Sequence, residues 1–359
     1  MASTASTTDY ARLASDLRDW ARELGFDAVG VADIDLTEAE TQLERWLAEE
    51  RHGAMEWMAR HGKKRSRPAE LLPGTLRVIS ARMNYLSTTQ GEALATLANP
   101  ERAYIARYAL GRDYHKLVRK RLKKLADRIG EAAGAHGCRV FSDSAPVLEK
   151  PLAAKAGLGW VGKHTLVLDR NAGSYFFLGE IYTDLPLPVD QPTSAHCGSC
   201  TRCIDVCPTH AITAPQELDA RRCIAYLTIE NRGAIPEPLR PLIGNRVFGC
   251  DDCQLVCPWN RHAQLSREAA FVPRENLRAP KLIELFGWDE EQFLRETEGN
   301  PLRRVGYTGF LRNVAVALGN APASAAARNA LALRADHPSE LVREHVRWAL
   351  KRQRPDSRK

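Results

Sequence analysis

Eight of the nine cysteines of this 359-residue chain fall between residues 197 and 257. Cys197, Cys200, Cys203 and Cys207 are spaced C-x2-C-x2-C-x3-C, and Pro208 follows. This is the bacterial ferredoxin run, in which three thiolates from a tight loop meet three irons of one cubane and the fourth is aimed at a neighbouring cluster. A second run, "GCDDCQLVCPWN", has only the last three members of the pattern: Cys250, Cys253 and Cys257. Cys223, further upstream, supplies the missing one. If the last cysteine of each run crosses over, one [4Fe–4S] cluster takes Cys197, Cys200, Cys203 and Cys257. The other takes Cys207, Cys223, Cys250 and Cys253. No cysteine of the segment is left over. Structural zinc is the competing reading, but an ordered four-cysteine run closed by Cys-Pro is the iron–sulfur form. Cys138 stands alone in "AHGCRVF" and is expected to be a buried core thiol.

Two adjacent clusters make an electron wire, and the residues before them must house its terminus. Residues 8–24 have helical periodicity, with Leu13, Leu17, Trp20 and Leu24 on one face. "FDAVGVADI" and "LRVISARMNYL" read as strands, and residues 37–50 and 113–130 as helices, the second with Asp113 as N-cap. "CRVFSDSAPV" is a strand running into a turn, and "LEKPLAAKAGL" a short helix. "HTLVLDRNAGSYFFLGEIYTDL" reads as two strands around an Asn-Ala-Gly-Ser turn. The fold class expected is α+β in three parts. Residues 1–190 form an α/β domain with a mixed or antiparallel sheet, 191–265 a two-cluster ferredoxin-like domain, and 266–359 a helical domain. In the last, Asn313–Leu318 aligns with His345–Leu350 at an offset suiting HEAT-like repeats; a small helical bundle is the alternative.

With 44% hydrophobic residues the chain can bury substantial cores, and it has no apolar run of ~18 residues to span a membrane. Its first residues lack a signal-peptide core and a twin arginine. A cytoplasmic location is expected, where clustered cysteines imply metal rather than disulfides. The net charge is +7, with basic runs at "RHGKKRSRP" and "HKLVRKRLKKLADR". Each run alone suits a solvated face; together they point to a polyanion, RNA first.

The stretches "MEWMARHGKKRSRPAELLPGTLRVISARMNYL", "YALGRDYHKL", "FSDSAPVLEKPLAAKAGLGWVGKHTLVL", "GSYFFLGEIYTDLPLP" and "CDDCQLVCPWN" resemble the epoxyqueuosine reductases, from about residue 10 to the C-terminal repeats. The resemblance implies a cobalamin in the N-terminal domain, two [4Fe–4S] clusters that reduce it, and a tRNA substrate. The epoxide of epoxyqueuosine at the wobble position would become the alkene of queuosine, with loss of water. The family's proton donor is the Asp of D-S-A-P, here Asp143. An Asp kept protonated by an apolar, cofactor-covered site suits that task. From the residues alone, Asp143 is equally an Asx-turn former before Ser144-Ala145-Pro146.

The D-x-H-x-x-G signature of His-ligated cobalamin is incomplete here: Asp113 and His115 precede Val118 rather than glycine. Base-off cobalamin without a His ligand is therefore expected. Arg67, Arg107, Asp143, Val167, Leu178 and the segment Tyr104–Tyr108 are its candidate contacts, with Arg107 alternatively a surface charge. Lys63, Lys64, Arg65, Lys120 and Lys123 are candidate phosphate contacts for tRNA, and Arg303, Arg304, Arg312 and Arg347 could cradle its stem. An external donor such as a flavodoxin or ferredoxin and a monomeric state complete the expectation. A reductive dehalogenase-like enzyme and a ferredoxin-type electron carrier are the alternatives.

Overall fold

The computed structural model describes residues 8–354. The part of the leader reading that rests on residues 1–7 lies outside them. The N-terminal part is built on a four-stranded antiparallel sheet in the order Ala28–Ala32, Arg77–Asn84, Phe176–Thr183, Cys138–Phe141.

Its two faces differ in chemistry, because residues two apart along a strand share a face. Ile79, Ala81 and Met83 with Phe177 and Ile181 form the apolar face. Against it pack the helices Tyr10–Glu23, through Leu13 and Leu17, and Tyr114–Ala133, through Val118, Leu122, Leu125 and Ile129. These buried positions recur at helical spacing, and Lys120 and Lys123 stay on the solvent side. Asp113 caps the second helix by accepting from the His115 backbone N–H (3.0 Å).

The opposite face carries Ser80, Arg82 and Asn84 on one strand, opposite Glu180, Leu178 and Phe176 on the next. The short helix Glu149–Lys155 and Val167 cover it.

One expectation needs correction. Cys138 is exposed, because it begins the edge strand, which pairs on one side only. The two strands expected around the Asn-Ala-Gly-Ser turn are present, each with a different main partner. Val167–Leu168 pairs with Trp160–Val161, while Phe176–Thr183 joins the main sheet, leaving one Asp169–Gly173 bridge between them. A side chain from the second cysteine run fixes this turn, since Asn260 Oδ1 accepts from the Ser174 N–H (2.7 Å).

The C-terminal helices Gly306–Asn320 and Glu340–Arg352 share one core with residues 103–110 and 220–248. Arg312, expected on the tRNA side, is fully buried. Its guanidinium donates to the carbonyls of Asn231, Gly233 and Leu227 and to Asn313 Oδ1. Three of those acceptors are backbone carbonyls of the cysteine segment, so the guanidinium is engaged inside the fold. Asn313 and His345, which the repeat pattern aligned, both bond that segment. Asn313 donates to Thr228 O and Val247 O, and His345 Nε2 accepts from the Ile235 N–H (3.1 Å). Among the described residues no helix is long and apolar enough to cross a membrane.

Candidate active site

Each cysteine run forms a tight loop followed by a single helical turn, Arg202–Asp205 or Asp252–Leu255. Cys197, Cys200, Cys203 and Cys257 line one cavity of about 200 Å³, with His196, Trp259 and Arg261 also on its wall. Burial and the neighbouring thiols Cys257, Cys197 and Cys200 push Cys203 up to about 11. On the other side, burial raises Cys223, beside Cys207, and raises Cys250 and Cys253 strongly. Cys253 also feels Cys223, Cys203 and Cys207, so the two sets adjoin.

Buried thiols crowded in this way ionise only if a cationic centre offsets their charge. The donor set therefore fits iron–sulfur clusters. Trp160 Nε1 donates to Cys197 Sγ (3.4 Å) and the Ala211 N–H to Cys207 Sγ (3.2 Å), contacts of the kind that tune cluster potential. The sequence reading missed Trp160 as a partner.

Next to the inner cysteines, Asp251 is fully enclosed. Its Oδ2 accepts from the Tyr104 hydroxyl and the Arg107 N–H, both at 2.8 Å. Arg107 is buried over the Tyr175 ring and bonds Thr88, so it is not a surface charge. Tyr108 is buried and feels both the Asp143 and the Asp251 carboxylates.

Asp143 has a left-handed backbone (φ 56°), a conformation Asp tolerates better than most side chains. Its N–H donates to Glu149 Oε1 (2.5 Å), which holds the loop in that shape. Its Oδ2 stands 2.7 Å from His115 Nε2 and 3.6 Å from Arg304 Nη1, and the Tyr114 hydroxyl also bonds it. Arg304 Nη2 lies 2.6 Å from His115 Nε2.

This surrounding changes the expected protonation. Burial pulls the Asp143 carboxyl upward, but the His115 bond, Tyr114 and Arg304 outweigh it and leave the group below its usual value. Burial lowers His115, but Asp113 and Asp143 outweigh that and raise it. Asp143 is thus not an isolated neutral acid; it and His115 hold a proton between them. The side chain is 46% exposed, so the pair opens to one side.

The remaining candidates are dispersed. Val167 and Leu178 belong to the covered sheet face. Arg67 is engaged by Glu40 (2.8 Å) and Glu70 (3.1 Å) at the surface. Arg65 is 4% exposed and donates to the carbonyls of Met58 and Trp57, so it cannot offer its guanidinium to a phosphate. Lys63, Lys64, Lys120, Lys123 and Arg303 are exposed. Arg347 is paired with Glu340.

The covered sheet face also passes a test for a large amide-bearing cofactor. Ser80 Oγ, Arg82 Nε and Nη1, Asn84 Oδ1, both Glu180 carboxylate oxygens and the Tyr182 hydroxyl are buried there without hydrogen-bond partners. So many unmatched groups on one face is unusual in a finished core. A corrinoid's amide rim would fit Arg82 and Asn84, while Ser80 and Glu180 have no exposed surface.

Two joined cysteine sets and a carboxylate–imidazole pair in one chain are the marks of an iron–sulfur redox enzyme. Residues 196–260 match the 4Fe-4S double cluster binding domain, and residues 65–144 match "Epoxyqueuosine reductase QueG, DUF1730". The chain is 61% identical to the epoxyqueuosine reductase of Pseudomonas aeruginosa over 98% of each chain. It is 58% identical to that of Escherichia coli, over 96% of this chain and 90% of the relative. The structure is similar to that of the Bacillus subtilis epoxyqueuosine reductase described with an Asp catalytic loop swung out of the active site (TM-score 0.85, 28% identity, 95% and 90% of the chains). It also resembles an epoxyqueuosine reductase solved with an epoxyqueuosine-modified tRNA-Tyr stem loop (TM-score 0.82, 28% identity, 95% and 90%). The chain belongs to the epoxyqueuosine reductase family and is an oxidoreductase.

Proposed function

We propose that this chain reduces epoxyqueuosine to queuosine at the wobble position of tRNA, with Asp143 protonating the departing epoxide oxygen. The observation that carries the reading is the His115–Asp143 contact (2.7 Å), on the loop that follows the edge strand Cys138–Phe141. The D-S-A-P motif and the Asp catalytic loop of the Bacillus subtilis relative support the assignment of Asp143.

Cys197, Cys200, Cys203 and Cys257 would hold one [4Fe–4S] cluster, and Cys207, Cys223, Cys250 and Cys253 the other. Base-off cobalamin would lie against the sheet face near Leu178 and Val167. When bound, these groups supply the two electrons of the reduction. The protein supplies position and protons. Asp113 orients the imidazole through Nδ1 (2.6 Å). His115 and Tyr114 hold the Asp143 carboxyl, and Arg304 offsets negative charge at the opening oxygen. Asp143 can then pass on the proton it shares with His115.

Lys63, Lys64, Lys120 and Lys123 are the phosphate contacts we assign to the tRNA, and the C-terminal helices act as HEAT-like repeats that brace the cysteine segment. The division at residues 190 and 265 follows these roles. Mass spectrometry of tRNA after anaerobic incubation with the reduced holoenzyme tests the reading. Loss of one oxygen from epoxyqueuosine is expected; unchanged epoxyqueuosine overturns it.

A further inference from the structure

Glu180 lies on an inner strand of the sheet with no exposed surface, opposite Ser80 on one neighbour and Phe141 on the other. No N–H reaches its carboxylate oxygens; the groups beside them are the Ser80 hydroxyl and the Glu149 carboxyl. The charged neighbours it feels are two more acids, Glu149 and Asp143. An ionised carboxylate sealed in this way costs several kcal/mol, so the group keeps its proton. Glu149 comes from the short helix that covers this face, and its Oε1 accepts from the Asp143 N–H. Glu180, Glu149 and Asp143 are therefore neighbours between the sheet interior and the loop that meets His115.

We propose that Glu149 and Glu180 are a proton-sharing carboxyl pair that recharges Asp143 during turnover. The inference rests on the reaction proposed above, and the stoichiometry of that reaction demands a second proton source. Opening the epoxide and expelling its oxygen consumes two electrons and two protons. Both C–O bonds break, a C=C bond forms, and one water leaves. Asp143 and His115 hold one proton between them, and Glu149 and Glu180 behind the loop offer the second. The Glu149–Glu180 pair passes its proton to Asp143 and regains one from solvent.

The groups around the pair suit this. Burial, then Glu149, holds Glu180 well above the usual carboxyl range. Burial, then Asp143, lifts Glu149 to about 7, while the Asp143 backbone bond, Glu180 and His115 pull it down. Arg65, Lys150, Tyr114 and Tyr182 are the other titratable groups that feel one or both acids. A pair that releases one proton near neutrality matches a general acid working there.

The test compares wild-type, Glu180→Gln and Glu149→Gln holoenzymes, each reconstituted anaerobically, on an epoxyqueuosine-modified stem loop. Both variants are expected to lose about tenfold or more in kcat with KM, iron and corrinoid content unchanged. In Glu180→Gln the alkaline limb of the pH–rate profile should move to higher pH, because Glu149 loses the Glu180 bond that holds it down. Infrared difference spectra should show a buried protonated carboxyl in the wild type, shifted in D2O and absent from Glu180→Gln. Unchanged kcat and pH profile in both variants overturn the proposal. So does loss of corrinoid with the pH profile intact, which would make Glu180 a cofactor contact only. If Glu180→Gln does not fold, Glu149→Gln decides by the same readouts. A wild-type enzyme inactive on the stem loop overturns the proposed function instead, and the infrared band then tests the pair by itself.

Discussion

His115 Nε2 lies 2.7 Å from Asp143 Oδ2, joining the first turn of one helix to a left-handed loop residue 28 positions later. The contact ties the carboxyl to a base on one side, while Arg304 approaches the same imidazole from the C-terminal half of the chain. A carboxyl held in this way donates a proton it shares, which sets the expected behaviour of its variants.

Asp143→Asn removes the proton donor and keeps the shape of the loop. Turnover on epoxyqueuosine-tRNA should fall at least about 100-fold, the lower end of what a positioned acid contributes. Iron and corrinoid content should be unchanged. Near-normal turnover would sink the assignment.

The His115–Asp143 contact also links stability to pH. His115 is raised above its usual 6.5, so its contribution is full below that value and is lost as pH rises through the folded-state value. Asp143 is lowered from 3.8, so its contribution is present above that value and is lost as pH falls through the depressed one. The stability gap between wild type and His115→Gln, measured by urea unfolding, should be widest between these usual values and shrink toward alkaline pH. A gap independent of pH contradicts the pairing.

Cys223→Ser tests the two-set reading where the ferredoxin pattern is weakest. Iron should fall from about eight to about four per chain, because one cubane loses a ligand. Retention of all the iron would make Cys223 a core thiol instead of a ligand.

The surface lysines and the buried arginine should respond differently. Lys120→Ala with Lys123→Ala should lower the slope of log affinity for tRNA against log salt by about 0.7–0.9 for each phosphate no longer neutralised. Arg65→Ala should instead lower the melting temperature, since the Met58 and Trp57 carbonyls lose their donor. Equal slopes for wild type and the lysine variant would move the RNA footprint elsewhere.

Arg312→Met should destabilise the protein by about 3 kcal/mol or more, since three carbonyls of the cysteine segment lose a charged donor. Calorimetry on the reconstituted protein measures it. A shift under about 1 kcal/mol would show that the carbonyls find other partners.

Much of the site was legible in the chain because its signals are local. Cysteine spacing reports on one loop at a time, and the Asp113 cap and the buried stripe of the following helix need only neighbouring residues. The errors fell where the outcome depends on distant partners. Cys138 reads as a core residue in "GCRVF" until the strand order puts it on an edge. Arg65 and Arg312 sit among basic residues, and nothing local shows that backbone carbonyls enclose them. Glu149 and Glu180 carry no motif.

The sequence by itself determined the two cysteine runs, the acidic loop and the family likeness, because each is written in short stretches of fixed spacing. Only the tertiary structure decided how Asp143 is protonated. His115 and Arg304 reach that carboxyl from segments 28 and 161 residues away, and Glu149 and Glu180 meet behind it only once the strand Phe176–Thr183 has paired inside the sheet. A carboxyl's charge state depends on what surrounds it in space, and spacing along the chain does not carry that information.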